Sequence, residues 1–581
     1  MKVVNARRIS QVFFFSLFAW FCIVSTVGER FWQLRGWPVN WFLQLDPLVA
    51  IGTILTTHSL YAPLLWALVT IVLTVIVGRF FCGWVCPFGA IHHFVGFVGS
   101  RKKTAAEKIE LNRYRKAQGV KYIILVFFLF MAAFPSISAS LQTGLLDPIP
   151  LVTRSFNLVL VAIADRVGYV TSVTPRFYEG AWLICAVFCT SVLLNLVIPR
   201  FYCRFICPLG ALFGIIDRFA LWRIGKNQAE CINCRLCQHN CQGGCEPAGN
   251  IRISECLLCF NCREECPHGI ISYQTQPSMA GEVTGPDISR RGFVLSLAGG
   301  ILAVPAMRLG NRLGSNWHPR LIRPPGTLPE EEFLKRCIKC GQCMRICPTN
   351  VIQPGGIEGG LENLWTPVLN NRIGSSGCQL NCVACGQVCP TAAIRPISLA
   401  EKLGTGEFAA NGPVRLGTAF VDRSRCLAWA MNRACIVCEE NCPVSPKAIY
   451  TRECFETVRD GLLTVKSVKA KIVETVEDGL SPGEVATGDF YCVLGDNEPS
   501  KITANTENSI ELTADSQLLE ALAPGSKIEI QIRLARPYVD IEKCIGCGVC
   551  EHECPVSGEK AIRVSAEGET RSTNRKLVLE H

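Results

Sequence analysis

Histidine is scarce in this chain, with 8 residues in 581. Only His58, His92 and His93 fall near apolar segments, a poor inventory for two bis-histidine b-type haems. No cysteine run has the Cys-x-x-Cys-His form that attaches c-type haem, so no haem is predicted. An RNA-binding signature is also missing. The net charge of +10 comes from basic residues gathered beside apolar stretches, which reads as membrane orientation and excludes nucleic acid as the partner. No small-residue cleavage site follows the first apolar stretch after MKVVNARR, so that stretch is predicted to be a retained span and not a removed signal peptide.

Cysteine, by contrast, is abundant, with 34 residues. Disulfide scaffolds of that density are usually short secreted chains. In a long chain with ferredoxin-type spacing, thiolate-bound iron is the better reading.

Four segments are apolar enough to span a bilayer, at about 9–28, 60–78, 122–141 and 181–198. Lys and Arg concentrate between the second and third segments and after the fourth, which puts those regions and both ends of this unit in the cytoplasm. Within this membrane domain, 1–225, a repeat is visible. Cys82-x-x-x-Cys86-Pro87 matches Cys203-x-x-x-Cys207-Pro208, and upstream Leu45-Asp46-Pro47 matches Leu146-Asp147-Pro148. Both copies run in the same direction, so a pseudo-twofold axis along the membrane normal is expected. The stretches 48–57 and 149–164 look too short or too interrupted to span and are expected to be interfacial or re-entrant. If the motif is helical, its two thiols share one helical face, with the proline disturbing the helix just beyond. The repeat points to one additional metal or iron–sulfur centre shared by Cys82, Cys86, Cys203 and Cys207; a redox-active dithiol and transient copper binding are the alternatives. Cys22, Cys185 and Cys189 read as inert small hydrophobes.

A two-cluster ferredoxin module follows at 226–275. In that spacing three close thiolates hold one cubane, and the fourth ligand comes from the other run. Cys231, Cys234, Cys237 and Cys266 form one set; Cys256, Cys259, Cys262 and Cys241 form the other, with Cys245 competing with Cys241. Structural zinc is the competing reading, and two complete runs weigh against it.

Residues 287–308 carry Ser289-Arg290-Arg291 before an apolar run, a twin-arginine export pattern placed inside the chain. Uncleaved, it is predicted to be a fifth span; Val304-Pro305-Ala306 offers a cleavage point. Beyond it, 317–581 holds four more runs: Cys337, Cys340, Cys343, Cys347; Cys378, Cys382, Cys385, Cys389; Cys426, Cys435, Cys438, Cys442; and Cys544, Cys547, Cys550, Cys554. Chains of this kind commonly nest, first run with fourth and second with third. Nesting assigns Cys554 to the first cluster, Cys442 to the second, Cys389 to the third and Cys347 to the fourth. At about 455–538, β-branched residues in partial alternation predict a small β insertion, with Cys454 and Cys492 structural. The expected fold is thus multidomain: an α-helical membrane domain, two ferredoxin-like α+β iron–sulfur modules holding six [4Fe–4S] clusters, and a β insertion.

On the membrane Cys-Pro motifs and the eight ferredoxin cysteines, residues 1–275 resemble the NapH/NosR-type membrane polyferredoxins. On Ser289–Leu295 and the last sixteen run cysteines, 287–581 resemble the NapG-type periplasmic four-cluster ferredoxins. The resemblance implies a fusion acting as a quinol dehydrogenase in the bacterial inner membrane. Its first module would be cytoplasmic and its second periplasmic, in a multisubunit respiratory complex of anaerobic respiration. Electrons would pass from the membrane quinone pool to a periplasmic reductase or c-type cytochrome. The β insertion and the internal export signal depart from that pattern, and no flavin-bearing domain of the NosR kind is evident. Asp46, Asp147 and His58 on the outer side, and His92 and His93 on the inner, are the candidate quinol-site residues; turn formation before proline competes for the aspartates. A copper reductase or assembly factor, or a redox sensor, remains the alternative.

Overall fold

The computed structural model describes residues 2–26, 37–134, 143–168, 176–227, 231–308, 318–494, 499–513, 519 and 522–572. The chain divides into two units. The first holds 1–375, 381–414 and 571–573; the second holds 376–380, 415–570 and 574–581.

In the first unit the principal helices are α1 (Val3–Val24), α2 (Pro47–Thr57), α3 (Ala67–Val77), α4 (Pro87–Ser100), α5 (Val120–Ala133), α6 (Pro148–Gly168), α7 (Ala181–Leu193), α8 (Pro208–Ile216) and α9 (Arg290–Arg308). Among the described residues three helices are long and apolar enough to cross a membrane: Val3–Val24, Ala105–Ala133 and Pro148–Gly168. The expected spans at 60–78 and 181–198 are shorter apolar helices, Ala62–Val77 and Ala181–Leu196. The third expected span starts earlier, at Ala105, and its outer part lies outside the described residues. Conversely, the stretch expected to be too interrupted forms the 21-residue α6. Pro148 and Pro150 stand in its first turn, where no intrahelical N–H is needed, and a π segment at Phe156–Leu160 carries the helix onward. α9 lies along α5: Gly292 meets Ile123 and Gly300 meets Phe130, contacts that a side chain at either glycine would obstruct.

The repeat is realised as two pairs of helix starts. Asp46 caps α2, accepting from Leu48 N at 2.9 Å, and Asp147 caps α6, accepting from Ile149 N at 3.5 Å. Pro47 and Pro148 occupy the first helical position, where the ring presets φ.

In the second unit, β4 (Ile449–Lys469), β5 (Ile472–Thr475), β6 (Phe490–Val493), β7 (Ser500–Asn505), β8 (Ser509–Leu512) and β9 (Lys527–Val539) close a barrel in the order β6-β7-β8-β5-β4-β9. Its core gathers Leu463, Val465, Val473, Cys492, Ile502, Ile510, Ile528 and Ile530. β4 and β9 pair antiparallel from Ile449↔Val539, so the insertion leaves and re-enters at one point.

Candidate iron–sulfur and membrane redox sites

Each regular Cys-x-x-Cys-x-x-Cys run has the same backbone. The two residues flanking the middle cysteine are left-handed: Asn233 and Arg235 (φ 56° and 60°), Leu258 and Phe260 (47° and 57°), Lys339 and Gly341 (56° and 77°), Gly546 and Gly548 (67° and 77°). Only glycine adopts this region without cost. Strain accepted at Leu258, Phe260 and Lys339 buys a loop whose successive N–H groups and thiols turn to one side. A short helix follows each time, at Leu236–His239, Asn261–Glu265, Gln342–Ile346 and Val549–Glu553. The two irregular runs turn differently, with φ of −128° at Val383 and −125° at Ile436.

In the first module, Cys237 stands near Cys234 and Cys266, while Cys241 stands with Cys256, Cys259 and Cys262. Cys245 lies 3.3 Å from Cys241, sulfur to sulfur. β1 (Arg223–Lys226) and β2 (Ile271–Gln274) pair antiparallel and join the two ends of the module.

The second module corrects the nested pairing. Cys389 lines one cavity with Cys337, Cys340 and Cys343 in the first unit. Cys554 lines another with Cys426, Cys435 and Cys438 in the second. Cys442 is the neighbour of Cys544 and Cys547. Successive runs therefore pair, first with second and third with fourth. The cause is chain closure. Thr327 bridges Ile394 around the first pair of runs. β3 (Thr418–Val421) pairs with β10 (Ile562–Ser565) around the second, and the single exit point of the barrel returns the fourth run beside the third.

The donor sets fit a cationic cluster core. Burial, with repulsion from neighbouring thiols, pushes Cys237, Cys340, Cys438 and Cys547 up to about 12 as free thiols. Such groups ionise together only around a compensating positive charge. Backbone N–H groups also aim at sulfur, from Ile394 to Cys389 and from Ala419 to Cys544, each at 3.4 Å. Among the described residues, no three His, Cys, Asp or Glu side chains converge tightly enough for a single ion.

The four membrane cysteines come together, but not as two pairs on two helical faces. Cys82 lies in the short helix Phe80–Trp84, while Cys86 caps α4. Cys203 lies in Phe201–Phe205, while Cys207 caps α8. The chain turns between the thiols of each motif, and each proline starts the next helix instead of disturbing one. Cys86 Sγ accepts from Gly89 N at 3.4 Å and Cys207 Sγ from Gly210 N at 3.1 Å, the same contact in both repeats. Cys207 is electrostatically in reach of Cys203, Cys82 and Cys86. Two buried arginines outside the cysteine motifs close the site. Arg200 Nη1 donates to Cys82 O of the other repeat at 3.2 Å, and Arg79 reaches across to Gly210. Their equivalence in the repeat, each three residues before the first cysteine, was the available signal.

Within the first unit, the first module and the first run of the second module attach at opposite ends of α1. Val4 N donates to Glu264 of the first module at 3.0 Å, and Cys22 O accepts from Arg345 of the second at 3.4 Å. On a helix these positions are roughly 27 Å apart, close to the roughly 30 Å of a hydrocarbon layer. Between them, Gln11 Nε2 donates to Gly83 O at 2.7 Å, which places the four-thiol site partway along. Trp84 Nε1 reaches Leu258 O of the first module at 3.0 Å.

A cavity of about 380 Å³ opens at the first-module end, lined in part by Arg7, His92, His93, Arg200, Asn240 and Glu264. His93 bonds Gln11 Oε1 at 2.7 Å and Arg7 Nη2 at 3.3 Å. His92 is buried with neither ring nitrogen hydrogen-bonded. The other candidates lie elsewhere. His58 is the exposed left-handed C-cap of α2, and Asp46 and Asp147 are buried caps.

Residues 59–105 and 180–227 match a 4Fe-4S binding domain, 336–393 a 4Fe-4S dicluster domain, and 537–557 a further 4Fe-4S binding domain. The dicluster match embraces the first and second runs of the second module together. An uncharacterized protein of Methanocaldococcus jannaschii is 27% identical over 251 residues, 43% of this chain and 86% of its own length. The regulatory protein NosR of Stutzerimonas stutzeri is 28% identical over 229 residues, 39% of this chain and 26% of its own. The ferredoxin-type protein NapH of Haemophilus influenzae is 24% identical over 295 residues, 48% of this chain and 91% of its own. No solved structure matches. Its homologues are thus membrane polyferredoxins that carry 4Fe–4S domains.

Proposed function

We propose that this chain is a membrane-bound electron-transfer protein of quinol dehydrogenase type, a NapH/NosR-like unit fused to a NapG-like one. The observation that carries the reading is α1, which holds the first module at Val4 and the first run of the second at Cys22, with the four repeat cysteines between them. An iron–sulfur centre in each thiol set supplies one-electron chemistry. The twenty-four run cysteines hold six [4Fe–4S] clusters, paired by successive runs, and Cys82, Cys86, Cys203 and Cys207 hold an additional centre. Arg79 and Arg200 lock the two repeats across it and exclude water.

Quinol binds in the cavity beside Arg7 and His93, with His93 placed to hydrogen-bond its hydroxyl. α9 is kept uncleaved along α5 and leads to the second module on the periplasmic side of the bacterial inner membrane. There a reductase or cytochrome of the respiratory complex receives the electrons.

Anaerobic mixing of the full-length protein with a menaquinol analogue tests this, followed by EPR of the clusters. Rapid reduction, slowed more than tenfold in His93→Ala, is expected. Clusters that stay oxidised with quinol, yet reduce copper once reduced chemically, overturn it in favour of a copper-reducing assembly factor.

A further inference from the structure

Two carboxyls meet inside the protein between the repeats. Asp46 and Asp147 are equivalent residues of the two copies, both without solvent exposure, and their side chains lie within hydrogen-bond reach of each other. One oxygen of each is taken by the helix it caps, Asp46 Oδ1 by Leu48 N and Asp147 Oδ1 by Ile149 N. The other oxygen of each, Oδ2, has no hydrogen-bond partner among the described residues. Two buried carboxylates cannot both stay ionised side by side. One proton between them supplies the missing donor and leaves a single negative charge.

The surroundings link this pair to two thiol sets. Tyr202, the residue before Cys203, donates its hydroxyl to Leu146 O and lies in the field of Cys203, Cys207, Asp147 and Arg154. Arg154 binds Lys339 O at 2.9 Å and Gly144 O at 3.3 Å, and lies in the field of Cys337 and Cys340. The pair thus sits between the membrane cysteines and the first run of the second module.

The other charged groups on neighbouring elements are committed elsewhere. Lys121 and Tyr122 of α5 bind Glu255, Lys335 pairs with Glu331, and His92 of α4 stacks on Tyr202. Among the described residues, Asp46 and Asp147 meet no carboxyl but each other.

We propose that Asp46 and Asp147 form one proton-holding site on the repeat axis, which takes up a second proton when a neighbouring redox centre takes up an electron. The inference rests on the iron–sulfur reading of those thiol sets. The balance is one electron to the centre and one proton from solvent to the pair, which passes from one shared proton to two. The electron comes from quinol in the proposed function. In a low dielectric an added charge is strongly penalised, and a proton arriving with the electron removes that penalty. The two aspartates are positioning residues for charge, distinct from the groups that touch quinol.

The test is a redox titration of the full-length protein in nanodiscs, with a chemical reductant and EPR detection, between pH 6 and 9. The centres are assigned by signals lost in Cys203→Ser and Cys337→Ser. The wild type is expected to show a centre whose potential falls with pH, by up to about 59 mV per unit for one proton per electron. Asp46→Asn and Asp147→Asn should each flatten that slope; asparagine keeps the helix cap, so folding is preserved. A wild type with no slope, or a slope that survives in both variants, overturns the proposal. Because the reductant is chemical, a protein unable to oxidise quinol still reports on the pair.

Discussion

Arg345, two residues before Cys347, forms an ion pair with Asp165 of α6 at 3.1 Å, and neither side chain is exposed. A charge drawn from the ferredoxin module is thus neutralised by one from the helical domain. Breaking such a buried pair leaves the other charge uncompensated and costs roughly 3–5 kcal/mol, whereas replacing both partners by apolar residues is often near neutral. Asp165→Ala is expected to lower the unfolding midpoint of the full-length protein in detergent. The double variant Asp165→Leu with Arg345→Met should recover most of the loss, as measured by thermal unfolding.

The pairing of successive runs has a stoichiometric consequence. Cys337 and Cys389 line one cavity, so Cys337→Ser and Cys389→Ser remove the same cluster. The double variant should lose about four irons per chain, no more than either single change. Cys337→Ser combined with Cys554→Ser should lose about eight, since Cys554 serves the third run. Iron and sulfide analysis with EPR checks both, and the nested arrangement predicts the opposite pattern.

Glu330 ties the entry of the second module to two arginines, Arg323 at 2.5 Å and Arg571 at 2.7 Å. Burial pushes its carboxyl up, but the two guanidiniums outweigh burial and hold it down at about 2. A depressed carboxyl stabilises the fold above its unfolded value, about 4.3, and loses that contribution as pH falls through the folded one. Glu330→Gln should therefore cost about 3 kcal/mol near neutrality. The difference from wild type should shrink between pH 4.3 and about 2, as read by denaturant unfolding across pH.

The barrel has its own core, and Ile530 lies wholly inside it. Ile530→Ala should destabilise the barrel by about 2–5 kcal/mol while leaving the iron content unchanged. Hydrogen exchange resolved by segment, together with iron analysis, distinguishes this from a barrel required for cluster assembly. Loss of iron from the variant would show that closure of β4 on β9 holds the third and fourth runs together.

The thiol inventory was legible because cluster binding demands fixed local spacing, and a Cys-x-x-Cys-x-x-Cys loop forms its left-handed turns from a handful of residues. The repeat was legible for a similar reason: Asp-Pro and Cys-Pro both start helices, and each dipeptide does so within one turn. The insertion was legible from its β-branched alternation, though not its closure into a barrel. Span lengths were less legible. The apolar pattern does not reveal that the first-turn prolines and the π segment leave α6 continuous, nor that Leu60–Gly78 shortens behind a 3₁₀ turn at Ala62–Trp66.

The sequence alone marks where the cysteine runs lie, where the repeat lies and where helices begin, since each depends on neighbours a few positions away. Tertiary structure decided what meets across the chain: Cys389 beside Cys337, Arg200 on the opposite repeat, and the first module and the first run of the second at the two ends of α1. It also brought Asp46 to Asp147, turning two helix caps into one buried carboxyl pair. Such meetings are set by the closure of strands and the packing of helices over long chain separations, which local spacing does not encode.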